Sequence, residues 1–540
     1  MTALLENEGP RPHGGGSELS DPATDRDALL AFDRLSLAIH GTTILHDVSL
    51  ALFAGRVTGL VGESGSGKSM TALAAIGLLP DGAATSGAIR MDGRDLVALR
   101  ERDWLGIRGN DVAMIFQEPM TALNPVHTIG AQVAETLRLR GASRAEAMRI
   151  ARDRLDRVGL SRIPLDRYPH ELSGGQRQRV CIALAIARRP RLLIADEPTT
   201  ALDVTTQAEI LALLRGLVDD EGMALLLITH DLGVVAGIAD RVAVMNNGRI
   251  VEADTTEALF RHHRDPYTRD LLAASRVPAR ARRKVPPDPV LAARDVVRTY
   301  GAHRAVDGVS FTLHRGESLG LVGESGCGKS TLTRALLGLE PVQGGAIELM
   351  GRPGGTAMTR GERAKVSVVF QDPYGSFDPR WTVRRIVAEP FHLTGRPRDA
   401  DARLAATLER VGLGAGDLDK YPHEFSGGQR QRIAIARALV TEPEVLVLDE
   451  AVSALDVRVR AQVLALLDDL QTRLGLAYLF IGHDLSVVRA IADRVIVMQA
   501  GRFVEEGPVA DVFTAPESDY TRTLIAAAPA IPDAWVKETS

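Results

Sequence analysis

The octapeptide Gly62-Glu63-Ser64-Gly65-Ser66-Gly67-Lys68-Ser69 returns as Gly323-Glu324-Ser325-Gly326-Cys327-Gly328-Lys329-Ser330. Both copies fit G-x-x-x-x-G-K-[ST], a loop whose backbone N–H groups wrap the phosphates of a nucleotide. Glycines at those spacings let the chain turn tightly and approach the phosphates closely. Lys68 and Lys329 then reach the β- and γ-phosphates, and the Ser69 and Ser330 hydroxyls turn to Mg²⁺. In a chain with 51 glycines a Gly-rich turn with an incidental lysine is the ordinary alternative. Context argues against it. Each copy follows an apolar run (Val57 to Val61, Leu319 to Val322) and precedes a helix-like stretch (Thr71 to Leu79, Thr331 to Leu339), the strand–loop–helix setting the motif demands. Only six of the 64 basic residues are lysine, and two of the six hold the same place in the two loops.

At 540 residues the chain exceeds what one core supports, so two or more domains are expected. Its hydrophobic content of 45% and charged content of 25% are those of a globular protein. A net charge of −5 and a pI near 6.3 argue against a protein that coats nucleic acid. Two cysteines exclude a disulfide framework and fit a reducing cytosol. Cys181 and Cys327 read as small fillers, and His262-His263 as solvated surface rather than a metal site. The polar N-terminus has no signal-peptide core, and nothing approaches the roughly 18 consecutive apolar residues of a membrane span.

Residues 1–28 are low in large apolar side chains and are expected to be disordered. A first unit follows at 29–272, then at 273–290 a basic, Pro-rich linker with little to bury, a second unit at 291–528 and a tail at 529–540. The phosphate loops are 261 residues apart and later landmarks 253 or 254, a duplication at domain scale. Each unit alternates apolar runs with amphipathic stretches, the pattern of an α/β fold with a mixed, mostly parallel sheet. The stretches 128–172 and 382–425 read as a helical subdomain in each unit.

Leu192 to Ala195 and Val445 to Leu448 are continuous apolar runs, as strands buried on both faces require. Each ends in paired acids, Asp196-Glu197 and Asp449-Glu450, where ligands bind in open α/β sheets. The aspartates are the expected Mg²⁺ partners of a phosphate loop. Strand alternation would turn each glutamate the other way, to polarise a water for in-line attack. Ser173-Gly174-Gly175-Gln176 and Ser426-Gly427-Gly428-Gln429 each open a helix, and a helix start binds anions. One nucleotide needs one such site, so the second is expected to meet a phosphate held by the other unit. Gln117 and Gln371 end apolar runs and face either Mg²⁺ or the attacking water. His230 and His483 recur in His-Asp-Leu, and Asp203 and Asp456 close two Ala-Leu-Asp segments.

Together these residues resemble the ATP-binding cassette (ABC) ATPases over nearly the whole chain after residue 29. The resemblance implies two tandem P-loop NTPase domains in a head-to-tail sandwich. Each ATP would lie between one unit's phosphate loop and the other's signature, Lys68 with Ser426 and Lys329 with Ser173. Glu197 and Glu450 would be the catalytic bases, His230 and His483 the γ-phosphate switches, and Asp203 and Asp456 the D-loops. Mg²⁺ would fall to Ser69, Asp196 and Gln117 in one site and to Ser330, Asp449 and Gln371 in the other. A narrower likeness, to the oligopeptide/dipeptide/nickel importer ATPases, rests on Phe116 to Pro125, Phe370 to Pro379, the Tyr-Pro-His-Glu segments at Tyr168 and Tyr421, Asp265-Pro-Tyr-Thr-Arg and Asp519-Tyr-Thr-Arg.

That family implies two transmembrane permeases and an extracytoplasmic substrate-binding protein as partners, with the chain peripheral on the cytoplasmic face of the inner membrane. Peptides are the leading cargo; nickel, glutathione and metallophores stay open. The family's Cys-rich segment is missing, so no iron–sulfur cluster is expected. Ala451 replaces the Pro after the catalytic Glu and Gly482 replaces a Ser before the switch His, so the second site is expected to be slower. Tyr300 suits adenine stacking in the second unit, with His40 or Ile39 standing in for the first. A tandem ABC ATPase acting on ribosomes is the rival of another class. The short, Pro-rich linker disfavours it.

Overall fold

The computed structural model describes residues 27–535 except Glu118, Ala201, Val277, Arg282, Lys284, Pro373, Tyr374 and Ala454, and omits the side chains of Pro119 and Met120. The expected disordered tail therefore lies almost wholly outside the described residues.

Each unit builds a six-stranded sheet beside a four-stranded antiparallel one, giving the α/β fold expected. In the first unit the large sheet runs, across its width, 249–255, 241–246, 57–61, 224–229, 192–196, 112–115. The strands from 241 to 115 are parallel, and only Arg249–Thr255 pairs antiparallel. Val57–Val61, Leu192–Asp196 and Ala224–Thr229 are buried at every residue, which is why they read as unbroken apolar runs. Register places Val61 opposite Thr229, Asp196 opposite Ile228 and Ala195 opposite Ile115. The carboxyl ends of four neighbouring strands thus share one edge, and the phosphate loop, Gln117, Asp196, Glu197 and His230 stand on or just past it. The second unit repeats the arrangement, with Leu321 and Asp449 both opposite Ile481.

The helical subdomains appear where the pattern placed them. Ile129–Arg138 and Arg144–Arg157 are capped by Thr128 and Ser143; Val383–Ala388 and Ala400–Arg410 are their counterparts. Their apolar faces join the parallel sheet in one core, where Val133 and Leu155 lie in the same cluster as Leu193 and Leu225. The helices after the phosphate loops start earlier and are shorter than expected, Lys68–Ala75 and Lys329–Leu336. Gly67 and Gly328, at φ 105° and 115°, turn the chain into the helix at once, and Gly77 at φ 64° ends the first soon after Ala75.

The units are joined through each other's C-terminal extensions. The helix Pro266–Ser275 of the first packs against Val457–Leu474 of the second. Beyond it Arg280, in a stretch expected to bury little, is 5% exposed. It donates to the Ile491 carbonyl and Gln471, sits 3.1 Å from Asp468, and pairs at 3.4 Å with Asp493, whose side chain is 6% exposed. In return the chain end crosses to the first unit, where the Trp535 ring lies 5.9 Å from Phe260. Among the described residues no helix is long and apolar enough to cross a membrane.

Arg280→Ala removes the paired cation of the buried Asp493 carboxylate, which among the described residues keeps one hydrogen bond, from the Ser318 N–H at 2.9 Å. It should lower unfolding free energy by about 3 kcal/mol, read as a lower urea midpoint. Asp468→Asn, at a half-exposed partner, should cost less than about 1 kcal/mol.

Candidate functional site

In each phosphate loop the first glycine leaves no room for a side chain. A Cβ at Gly62 would sit 2.1 Å from the Met245 carbonyl oxygen, and one at Gly323 2.2 Å from that of Met498. The lysines fold back over the loop: Lys68 Nζ donates to the Gly62 and Glu63 carbonyls at 2.8 Å each, and Lys329 Nζ to those of Gly323 and Glu324 at 2.7 and 2.8 Å. Burial lowers the Lys68 pKa, against the pull of Glu197, Asp196, Asp456 and Glu63. The contribution of Asp456 is notable, because it belongs to the other unit. Ser64, Gly65, Ser325 and Gly326 form the exposed rim of each loop, while Ser66 and Cys327 turn inward beside the lysines at 3.4 and 3.7 Å. Cys327 is thus a loop-lining residue, with its thiol pKa raised by burial.

Asp196 ends its strand hydrogen-bonded to Ser69, and burial raises its pKa, as it does that of Asp449. The following glutamates are not strand residues. Glu197 and Glu450 have left-handed backbones, φ 48° and 50°, fixed by N–H bonds of 2.9 Å to the Ile228 and Ile481 carbonyls. A backbone bend, rather than strand alternation, therefore turns them toward the histidines. A non-glycine residue there costs of order 1 kcal/mol and is held only by its surroundings.

Glu197 has three holders. His230 Nδ1 lies 3.0 Å from Oε1; Gln117 Nε2 and Thr200 Oγ1 donate to Oε2 at 2.8 and 3.0 Å. Burial alone would raise its pKa, but His230, Thr200 and Lys68 outweigh that and hold it down to about 2. Glu450 is paired with His483 at 3.2 Å. Ser453, at the place of Thr200, instead donates to the Glu450 backbone carbonyl at 2.9 Å. Burial works against both members of this second pair, yet their attraction lowers the Glu450 pKa and raises that of His483. Ser330, Gln371, Asp449 and Glu450 line a cleft of about 550 Å³.

Ser173 and Ser426 cap the helices Gly174–Ala185 and Gly427–Leu439, each accepting the N–H of Gln176 or Gln429 and closing a capping box. Gly175 and Gly428 leave space that the side chains of Thr206 and Val459 take up, as a Cβ would meet them at 2.5 and 2.3 Å. Among the described residues neither signature serine bonds the opposite phosphate loop. Asp203 and Asp456 cap the next helices through the N–H groups of Thr206 and Val459, 3.0 Å each. Tyr300 is exposed with Arg298 over its ring at 4.6 Å, and its hydroxyl is bonded to Glu340. His40 is exposed and Ile39 half-buried. Sequence reading missed Thr200, which no period or spacing marks out.

A strand–loop–helix phosphate cradle, facing acids and a histidine paired to one of them, twice over in one chain, defines a tandem nucleotide-hydrolysing cassette. Comparison with known proteins agrees. A family model described as "ABC transporter" matches residues 45–200 and 306–453, and another, "Oligopeptide/dipeptide transporter, C-terminal region", matches 504–539. The chain is 49% identical to "Peptidoglycan transport ATP-binding protein YejF" of Agrobacterium fabrum, over 94% of this chain and 97% of that one. It is 46% identical to "Glutathione import ATP-binding protein GsiA" of Escherichia coli K12, over 94% and 90%. An archaeal ribosome recycling factor, aABCE1, superimposes with a TM-score of 0.60 over 88% of this chain at 22% identity, which shows the fold alone. The chain belongs to the ABC transporter ATP-binding proteins, in the oligopeptide/dipeptide-type branch of import ATPases. It binds ATP and is an ATPase coupled to transport.

The depressed Glu197 pKa has a signed consequence. A carboxylate brought from its ordinary 4.5 to about 2 contributes stability that is present above 4.5 and lost as pH falls toward 2. Thr200→Val removes one donor and should cost about 1 kcal/mol near pH 7. In urea titrations the gap from wild type should hold down to about pH 3 and narrow as pH falls toward 2.

Proposed function

We propose that the two units, 29–272 and 291–528, bind two ATP molecules at their shared interface and that hydrolysis there energises an importer for peptides. The observation that carries this is the meeting of Lys68, Asp196, Glu197, Gln117 and His230 on one sheet edge with Asp456 of the opposite unit near enough to act on Lys68. Closure of the sandwich would bring the signature helix starts at Ser173 and Ser426 onto the nucleotide held by the other unit. Glu197, kept ionised, accepts the proton of the attacking water; His230 holds it in place and faces the γ-phosphate. Glu450 and His483 do the same in the second site.

The donor set suits Mg²⁺. Ser69 hydroxyl, Asp196 carboxylate and Gln117 amide, with Ser330, Asp449 and Gln371 opposite, are hard oxygen groups, and Mg²⁺ takes few protein ligands beside phosphates and water. When bound, it neutralises charge on the β- and γ-phosphates. Tyr300, already stacked on one face by Arg298, offers its other face to adenine in the second site.

ABC import ATPases work with transmembrane permeases, and we assign two such subunits and an extracytoplasmic binding protein as partners, with this chain peripheral on the cytoplasmic face of the inner membrane. Relatives named for peptidoglycan transport and glutathione import, and a C-terminal segment typed for oligopeptides and dipeptides, support a peptide class of cargo. Nickel, glutathione itself or a metallophore are the alternatives. The ribosome-acting reading has fold likeness only.

Tagged chain extracted from membranes should bring two permeases with it, and purification free of any membrane partner would count against the transporter. The second site should be the slower. Among the described residues Glu450 has fewer holders, and Gly482 lacks the Thr229 hydroxyl that accepts the Asp231 N–H at 3.0 Å. Glu197→Gln should therefore remove more ATPase activity than Glu450→Gln, each loss being at least about 100-fold in its own site. Equal losses would sink the asymmetry.

A further inference from the structure

The segments around Tyr267 and Tyr520 entered the family resemblance without a role. In the structure both tyrosines touch the phosphate loops. Tyr267 Oη accepts the N–H of Glu63 at 3.1 Å, and Tyr520 Oη that of Glu324 at 3.1 Å. Each is aimed by a carboxylate on the preceding strand. Glu252 accepts the N–H groups of Arg264 and Asp265 at 2.8 and 3.2 Å, and Glu505 those of Glu517 and Ser518 at 2.9 and 3.0 Å. Burial raises both phenol pKa values, that of Tyr520 to about 12, so each hydroxyl stays neutral and able to accept.

Glu63 is also held from the far side. Its carboxylate lies 3.3 Å from Nε of Arg458, in the first turn of the second unit's helix after Asp456. The place of Arg458 in the first unit is occupied by Thr205, whose buried hydroxyl has no hydrogen-bond partner among the described residues. One phosphate loop is therefore gripped by both units. At the same place in the other loop Glu324 is held by its own tyrosine, and among the described residues it has no ion pair across the units.

We propose that Tyr267 and Arg458 are positioning residues for the first phosphate loop, setting Glu63 from its own and from the opposite unit, and that this cross-unit hold is one-sided. It rests on the ATP-site reading above and adds a direction to it: movement of the second unit's D-loop segment is passed to the first unit's nucleotide, without a matching link in return. Arg458 and Glu63 are partly exposed, at 42% and 27%, so the link is a modest, salt-sensitive one.

Binding of the fluorescent analogue mant-ATP to the full chain tests it, with Lys329→Ala used to report the first site and Lys68→Ala the second. In the first background Arg458→Gln should raise Kd about threefold at low salt, and the difference should vanish at high salt. In the second it should do nothing. Tyr267→Phe should weaken only the first site and Tyr520→Phe only the second, with melting temperatures unchanged. Thr205→Arg, facing Glu324, should tighten the second site. Weakening by Arg458→Gln in both backgrounds, or in neither, overturns the link, as does a Thr205→Arg variant that leaves the second site unmoved. If either lysine variant still binds two nucleotides, the ATP-site reading fails instead, whatever Arg458 does.

Discussion

Parallel pairing about one buried strand governs the molecule. Val57–Val61 is flanked by Ala224–Thr229 and Arg241–Asn246, and Leu192–Asp196 follows outside the first of these. Because the strands run the same way in fixed register, their carboxyl ends must coincide. The phosphate loop is thereby brought together with Asp196 and His230, each more than 100 positions from it in sequence, without any of them having to attract another. The cost is that a charged cluster stands at the mouth of a dry core, where charges are poorly solvated. The pairings Lys68 to its loop carbonyls, Ser69 to Asp196 and His230 to Glu197 are what make that burial tolerable.

The duplicated design is not used equally. Both glutamates sit on the same left-handed bend, so the geometry of the bend is common to the units. What surrounds it is not. A Thr methyl group restricts χ1 and leaves its hydroxyl aimed at Glu197, whereas Ser453 swings to the backbone. Thr229 extends its strand by a residue and caps the turn into Asp231, while the second unit's strand stops at Ile481 and a glycine follows. These are differences in how firmly a carboxylate is held rather than in which groups are present.

Much of this was legible in the sequence. Repetition of whole motifs gave the two units, unbroken apolar runs gave the buried parallel strands, and capping residues gave the helix starts at Ser173 and Ser426. What escaped was set by backbone shape and by contacts between distant segments. Alternation along a strand was the wrong rule for Glu197, since a single left-handed residue resets the direction of everything after it. Thr200 carries no signal until that bend brings Glu197 over it. The linker looked able to bury little because its composition is basic and Pro-rich, yet one arginine suffices where Asp468, Asp493 and the Ile491 carbonyl converge.

Fusion of the units makes the asymmetry possible. In a symmetric dimer any residue contributed across the interface to one site is contributed to both. Here an arginine can sit at position 458 with a threonine at 205, because the two halves are separate stretches of one chain. Fusion also makes the second unit's encounter with the first intramolecular, so its effective concentration no longer depends on expression level. The Arg280 anchor and the Trp535 contact go further, since each ties one unit's extension to the body of the other. With pairing secured at those two points, the ATP-facing surfaces between them need not hold the units together. On the proposed reading they would be free to open and close on nucleotide, and a partly exposed contact such as Arg458 with Glu63 would act on the phosphate loop without having to support the assembly.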